Sequence, residues 1–327
     1  MTKVTIYSIA DALGVSGSTV SRAFTRPDQV RDDVRARILA KADELGYQPN
    51  KSARRLATGR TGAIGLFIPD ITNPFFPPLV RAIQQAAADN DASVIMVDAG
   101  ESTSAEAALI RRLAGQVDGV IVASPRGTPA RLRDALGSTP AIVVNREMMH
   151  STTVICDNSA ALAQAGDHLR DLNHETVALL HGPSASWAAR QRASAIRKWA
   201  ASADVELIEL GPFEASYEGG RQGAAAFADS PATAAFAFDD LTACGVVAGL
   251  AERGLSVPGD RSIVGCDDVL LARVLTPKLS TVSAPIGRLG AAAVDLLGEV
   301  MAGKQPDSLR IQGDFTPRQS SGPAPTT

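Results

Sequence analysis

Asp157, Arg192, Asp239 and Asp267 each stand at or just past the end of a short β-forming run, or on the helical stretch that follows it. In open α/β sheets ligands bind in the crevice beyond the carboxyl ends of the strands. Carboxylates accept hydrogen bonds from vicinal hydroxyls and an arginine fork can bridge two oxygens, so this set suits a sugar or another polyol. Trp187 and Phe213 are aromatic surfaces for the apolar face of such a ligand. The loop Asp70-Ile71-Thr72-Asn73-Pro74-Phe75-Phe76 follows a further strand end, adding Asn73 as a hydrogen-bonding group and Phe75 as a stacking ring. Structural readings stand beside these. Arg192 also fits an internal salt bridge, the pairs Asp239-Asp240 and Asp267-Asp268 also fit helix caps, and Phe75 and Phe76 also fit the start of a core helix.

A second constellation lies near the N-terminus, where Ser16-Gly17-Ser18-Thr19-Val20-Ser21-Arg22 follows a short turn. With Ser16 as N-cap, Val20 faces inward while Gly17, Ser18 and Arg22 face outward. In a helix-turn-helix the second helix enters the major groove, where arginine can grip a guanine bidentately and hydroxyls such as Ser16, Thr19 and Ser21 hold phosphates. Gly17 and Ser18 are short, so base reading leans on Arg22. A polar helix in any small bundle is the alternative, and charge bears on the choice. Residues 1–60 carry eleven Lys or Arg against six acids, whereas the whole chain of 327 residues has a net charge of -3. A basic head on an acidic body points to a polyanion held by the head.

Catalytic spacings are missing. No GxGxxG follows the first strand, no GxxxxGK[ST] or GxSxG occurs, and His174-Glu175 lacks the second histidine of HExxH because position 178 is Ala. The histidines at 150, 168, 174 and 181 have no metal-ligand spacing, and Cys156, Cys244 and Cys266 are too far apart in sequence for a metal or redox pair. No cofactor is expected. The opening MTKVTIYSIADALGVS has no apolar run of signal-peptide length and no later stretch is apolar enough to span a bilayer, so the expectation is a cytoplasmic protein without a membrane partner.

These residues need elements to position them. Ile6, Ile9 and Leu13, then Val20, Ala23 and Phe24, then Val34, Ile38, Ala42 and Leu45 recur at helical spacing and predict three small helices. Thr5 and Ser16 fall at N-caps, Gly14 in the connection and Gly46 after the third helix. From Gln48 to Thr61 the apolar period stops. Beyond it strands are predicted at 63–69, 93–98, 119–124, 141–145, 153–157, 176–181, 206–210, 234–238 and 262–266, with helices between them. That alternation implies parallel sheets covered on both faces, and the number of strands favours two sheets over one. The end of the chain, PRQSSGPAPTT, has the composition of a disordered tail.

The segments VTIYSIADALGVSGSTVSRAF and ELGYQPNKSARRLATGRTGAIGLFIPDITNPFF resemble the head, hinge and first strand of the LacI/GalR repressors, and DGVIVASPR, VICDN, GPSASWAARQR, AFDD, SIVGCDD and STVSAP follow in the family's order. The resemblance spans the chain. It implies an α/β protein with a helix-turn-helix head (1–48), a hinge helix (49–61), a two-lobed periplasmic-binding-protein-like body with two parallel sheets (62–316) and a tail (317–327). The implied activity is that of a transcription repressor and not an enzyme. Its partners would be pseudo-palindromic double-stranded operator DNA, a second copy in a homodimer, and a small carbohydrate effector held between the lobes. Carried onto this chain, the DNA contacts fall on Thr5, Tyr7, Ser16, Gly17, Ser18, Thr19, Ser21 and Arg22, and on Asn50, Ala53 and Leu56 of the hinge. Leu56 matches the leucine that wedges into the minor groove. The effector contacts fall on Asn73, Phe75, Asp157, Trp187, Arg192, Phe213, Asp239 and Asp267. Where the family often has asparagine this chain has Asp239, which implies an effector that offers hydrogen-bond donors or positive charge there.

Overall fold

The computed structural model describes residues 4–47 and 60–325, so the hinge positions Asn50, Ala53 and Leu56 lie outside the described residues. The chain divides into two units between Gly62 and Ala63. In the first unit α1 (Ile6–Leu13), α2 (Gly17–Thr25) and α3 (Asp32–Glu44) surround a core of Ile9, Ala10, Val20, Ala23, Ile38 and Ala42. Gly14 ends α1 at φ 65°, a left-handed conformation that costs a residue with a Cβ but not glycine. The chain can therefore turn straight into Ser16, whose Oγ accepts the Thr19 N–H (3.1 Å) and caps α2.

The second unit holds two lobes. The first is built from β1 (Ala63–Ile68), α4 (Phe76–Asp89), β2 (Ser93–Asp98), α5 (Glu106–Ala114), β3 (Gly119–Ala123), α6 (Pro129–Leu136), β4 (Ala141–Val144) and β5 (Thr153–Asp157). The chain then enters the second lobe with α7 (Ser159–Asp171), β6 (Thr176–Leu180), α8 (Trp187–Ala203), β7 (Glu206–Leu210), α9 (Tyr217–Ala228), β8 (Ala234–Phe236) and α10 (Asp240–Ala251). β9 (Ser262–Asp267), α11 (Leu270–Val274) and β10 (Ser280–Ser283) complete it. α12 (Ile286–Met301) and β11 (Leu309–Gln312) return to the first lobe, and β12 (Phe315–Thr316) crosses back. The sheet orders are β11-β5-β4-β3-β1-β2 and β12-β10-β9-β8-β6-β7. All pairings are parallel except β10 with β12. β1, β3 and β9 are buried along their whole length, as strands covered by helices on both faces must be.

β10, β11 and β12 are absent from the strands expected of the sequence. Ser280-Thr281-Val282-Ser283 reads as polar, yet it is a central strand because its hydroxyls find partners. Thr281 Oγ1 donates to Asp240 (2.6 Å) and Ser280 Oγ shares a hydrogen bond with Ser321 (2.7 Å).

The expected disordered tail is corrected as far as residue 325. Ser320 is fully buried, its N–H donating to Lys278 O and its Oγ to Ile263 O, while the Ala324 N–H donates to Leu172 O. His174, also buried, shares a hydrogen bond with Ser262 Oγ through Nε2, which lies 3.0 Å from Gly322 O. Composition signals disorder when a segment lacks a core of its own, and this segment uses the second lobe's. The body therefore extends past its expected end at 316.

The chain passes between the lobes at 157–159, 283–286 and 312–315, and these three strands of backbone meet at Gly313. Its N–H donates to Asp157 O (3.3 Å), and a Cβ placed there would lie 2.1 Å from Ser283 O and 2.6 Å from Asn158 Oδ1. Backbone cannot yield as a flexible side chain does. Gly313→Ala is expected to destabilise the body by about 1–3 kcal/mol, the cost of overpacking, with a lowered thermal midpoint by calorimetry. An unchanged midpoint would show that the three crossings have room to spread.

Candidate functional site

The first surface is the exposed side of α2. Ser18 and Arg22 are exposed, Arg22 resting on its own helix through Nε to Ser18 O (3.3 Å) and Nη2 to Ser18 Oγ (3.3 Å). Both contacts are long and solvated, so the guanidinium is cheaply redirected. Thr19 and Ser21 are half-buried at the edges of this face, and Ser16 and Thr5 are exposed at the two N-caps. Tyr7 is 68% exposed and lies against Gly17, where an added Cβ would sit 3.1 Å from its ring. The small residue at 17 makes the room that the tyrosine uses. The structure thus brings Thr5, Tyr7 and the α2 residues onto one small unit.

The second surface is a cleft between the lobes, lined by Phe75, Asn145, Cys156, Asp157, Trp187, Gln191, Arg192, Asp267 and Arg310. Arg192, one turn into α8, donates from Nη1 to Phe238 O (2.5 Å) and from Nη2 to Asp267 Oδ1 (2.6 Å), with its guanidinium 5.1 Å from the Phe238 ring centroid. Three of its five N–H donors are not engaged in these bonds. Asp267 ends β9 with φ 111°, and Ser124 and Asn145, at the ends of β3 and β4, have φ 46° and 53°. Left-handed backbone at a non-glycine residue is a local cost, and these three instances fall at carboxyl ends of strands. Asp157 is half-buried, with Arg310 Nη1 3.4 Å from its Oδ2 and Glu147 as the other partner of that arginine.

Burial pushes the Asp267 carboxyl up to about 6, against the opposing pull of the Arg192 charge. A proton held more tightly in the folded than in the unfolded chain, where carboxyls titrate near about 4, makes this group's contribution to stability fall as pH rises through that window. An infrared carboxyl titration with Asp267→Asn as reference should show a midpoint near 6. A midpoint in the usual carboxylate range would contradict the buried pair.

Asp239 is buried and occupied. Its Oδ1 accepts the Thr242 N–H (2.8 Å) and caps α10, while its Oδ2 accepts Asn73 Nδ2 from the other lobe (2.9 Å). Both carboxylate oxygens therefore have protein donors, which answers the substitution of a carboxylate at this place without requiring donors or positive charge on an effector. Asn73 in turn accepts the Phe75 N–H at its Oδ1 (3.0 Å), fixing the loop that opens α4. Phe75 is buried edge-on against Phe76, with centroids 5.1 Å apart, yet still borders the cleft. Trp187 opens α8 beside the cleft behind the Ser186 cap. Phe213 is not brought to this group: its N–H donates to His181 O (2.9 Å) and its ring packs over Gly211 and Gly223.

Sequence reasoning missed Asn145, Arg146, Asn158 and Arg310. Asn145 and Arg146 directly follow β4, the same strand-end signal that drew attention to Asp157 and Asp267. Asn158 holds the lobes together, accepting from Cys156 Sγ (3.0 Å) and donating to Cys266 Sγ (3.2 Å). Burial pushes the Cys156 thiol up to about 12, so it acts as a thiol and not a thiolate. Among the described residues no group of three or more His, Cys, Asp or Glu could hold a metal, and no helix is long and apolar enough to cross a membrane.

The family models agree with this division. Residues 5–50 match the model described as bacterial regulatory proteins, lacI family, and residues 166–321 match a periplasmic binding protein-like domain. The HTH-type transcriptional regulator DegA of Bacillus subtilis is 30% identical over 99% of this chain and all of its own length. The lac repressor dimer bound to operator and the anti-inducer ONPF superposes with a TM-score of 0.84 at 26% identity, covering 98% of this chain and all of that one. A LacI family regulator from Enterococcus faecium with bound ribose gives 0.71 at 33% identity, over 80% of this chain and 99% of that one. Fold and surfaces together define a DNA-binding transcription regulator with a periplasmic-binding-protein-like body, and not an enzyme. The chain belongs to the LacI family.

Proposed function

We propose that this protein is a transcription repressor that binds a pseudo-palindromic operator as a homodimer and is controlled by a small polar effector, a sugar or other polyol, seated between its lobes. The observation that carries the reading is the pairing of Arg192 with Asp267 at the mouth of the strands, beside Asp157 and Trp187, in a chain whose head presents Arg22 on an exposed recognition helix. The fork keeps free donors and the strand ends supply acceptors, the combination that recognises vicinal hydroxyls. The ribose in the Enterococcus faecium relative supports the same class of ligand, and the lac repressor dimer on its operator supports the assembly. Leu270 and Val274, 71% and 63% exposed on α11, give the body an apolar surface for self-association. The hinge contacts proposed for Asn50, Ala53 and Leu56 belong to this reading.

The test has two arms. Gel shift on random genomic fragments should select discrete duplexes with the full chain and none with residues 61–327. Thermal-shift screening of sugars, polyols and nucleobases should find a ligand that stabilises the protein, by about 2.7 kcal/mol at a hundredfold excess over Kd. Failure of the full chain to select any duplex would reject the regulator reading, whatever the second arm shows.

A further inference from the structure

Ser159 opens α7 and Gln191 lies one turn into α8, and both border the cleft between the lobes. The same two residues border a groove of about 360 Å³ between these helices, within the range of about 300–1,000 Å³ usual for small-ligand pockets. Both helices begin at the cleft, so the groove leads away from it. Its walls follow helical spacing: Ser159, Ala163 and Asp167 on α7 recur at every fourth residue, and Gln191, Ser194 and Lys198 on α8 at steps of three and four. The floor is fixed. Trp199 also lines the groove yet is only 4% exposed, because Gly166 gives up the space its indole fills: a Cβ there would lie 2.2 Å from the ring. The Trp199 Nε1 donates to Asp167 Oδ1 (3.2 Å) and Arg170 pairs with that same oxygen (3.1 Å), so Oδ2 stays open as an acceptor. The side chains of Gln191, Ser194 and Lys198 make no hydrogen bond or ion pair with any described residue. An amide, a hydroxyl, an ammonium and a carboxylate thus share one path that starts at the cleft. Hydroxyls both donate and accept, so a run of sugar hydroxyls matches this mixed wall, whereas a ligand of one charge would meet Lys198 and Asp167 as one partner and one opponent.

We propose that the groove between α7 and α8 is a second sugar subsite, which holds the outer units of an oligosaccharide whose end unit occupies the cleft. This rests on the effector reading above and deepens it, from sugars in general to chains of two or more units. Gln191 and Lys198 stand seven residues apart on α8, about 10 Å along its axis, farther than one sugar ring reaches. The groove belongs to the second lobe alone. A unit bound there favours no particular arrangement of the lobes, so it adds affinity without adding to the response. The end unit in the cleft, bordered by both lobes, carries the response.

Calorimetry on the full chain should compare three length series: glucose, cellobiose and cellotriose; glucose, maltose and maltotriose; xylose, xylobiose and xylotriose. In at least one series the affinity is expected to rise tenfold or more with the second or third unit. Ser194→Trp fills the groove from a half-buried position beyond the cleft. It should bring the longer members down to the affinity of the single sugar and leave the single sugar unaffected. Lys198→Ala, at an exposed position, should lower the gain severalfold and decides the matter if the tryptophan variant does not fold. Single sugars binding as tightly as every longer chain would overturn the proposal while leaving the effector reading in place. So would a gain with length that survives in Lys198→Ala and in a folded Ser194→Trp. No binding by any member would reject the subsite together with the sugar reading, and operator selection by the same preparation keeps the regulator reading separate from both.

Discussion

Arg22→Ala is expected to erase the difference in affinity between the operator and random DNA, while Ser21→Ala weakens binding to both alike. A bidentate arginine–guanine contact is worth about 1–3 kcal/mol of discrimination, and paired heads lose it twice, so the preference should fall by about thirtyfold or more. The shortness of Gly17 and Ser18 leaves few other side chains on the first turn of α2 to compensate. A phosphate contact carries no sequence information, and its loss subtracts equally from every duplex. Because Arg22 is exposed and held by two long hydrogen bonds to its own helix, the variant should keep the head folded. Titrating each variant against one selected duplex and one scrambled duplex at fixed salt decides the matter. Equal losses on both duplexes for Arg22→Ala would assign the residue to the backbone.

Arg192→Ala is expected to abolish the effector response and leave operator binding in place. The change removes the fork that lines the cleft, and it strands Asp267, which is 5% exposed and has Arg192 as its salt-bridge partner among the described residues. Breaking a buried pair in this way typically costs about 3–5 kcal/mol, because the remaining charge stays desolvated. Asp267 can escape that cost by taking up a proton, for which burial already prepares it with a pKa of about 6. Without Arg192, whose charge holds the value down, the carboxyl takes up its proton at a higher pH still, so the stability deficit of the variant should shrink as the pH falls toward about 6. Arg192→Lys keeps the charge but loses the planar fork, and should recover stability more than effector affinity. Calorimetric effector affinity unchanged in Arg192→Ala would remove this residue from the binding site.

Much of the architecture was legible because parallel strands buried on both faces must be nearly continuous runs of Val, Ile, Leu and Ala, as in Ala63–Ile68 and Gly119–Ala123. Ser280–Ser283 escaped that signal because its polarity is cancelled by Asp240 and Ser321, partners about forty residues away on either side. The tail escaped for the same reason in reverse: residues with no core of their own borrow His174, Ser262 and Ile263. At the site, strand-end position and residue type pointed to Asp157, Arg192 and Asp267, which the fold gathers around one cleft. The partnership of Asn73 with Asp239, 166 residues apart, was not readable, so the aspartate's cap could only be weighed as an alternative. Phe213 shows the limit of residue type, since an aromatic ring near a strand end served packing over two glycines instead.

The three crossings between the lobes also set an order of events during synthesis. Residues 4–47 form a contiguous unit and can fold as soon as they emerge. Neither lobe can. The first lacks α12, which covers its sheet, and edge strand β11 until residue 312 has been made, and the second lacks β12 and the strap through Ser320 until the last dozen residues follow. At about 5–20 residues per second, the unfinished sheets stay exposed for many seconds after their first strands are translated. A chain stopped early, even by some twenty residues from its end, would carry a finished DNA-binding head on a body in which both sheets are open at an edge or a seam. Such a product keeps its contacts for DNA but has no cleft to answer an effector, so premature termination late in the coding sequence should be harsher on the body than its distance from the cleft residues implies.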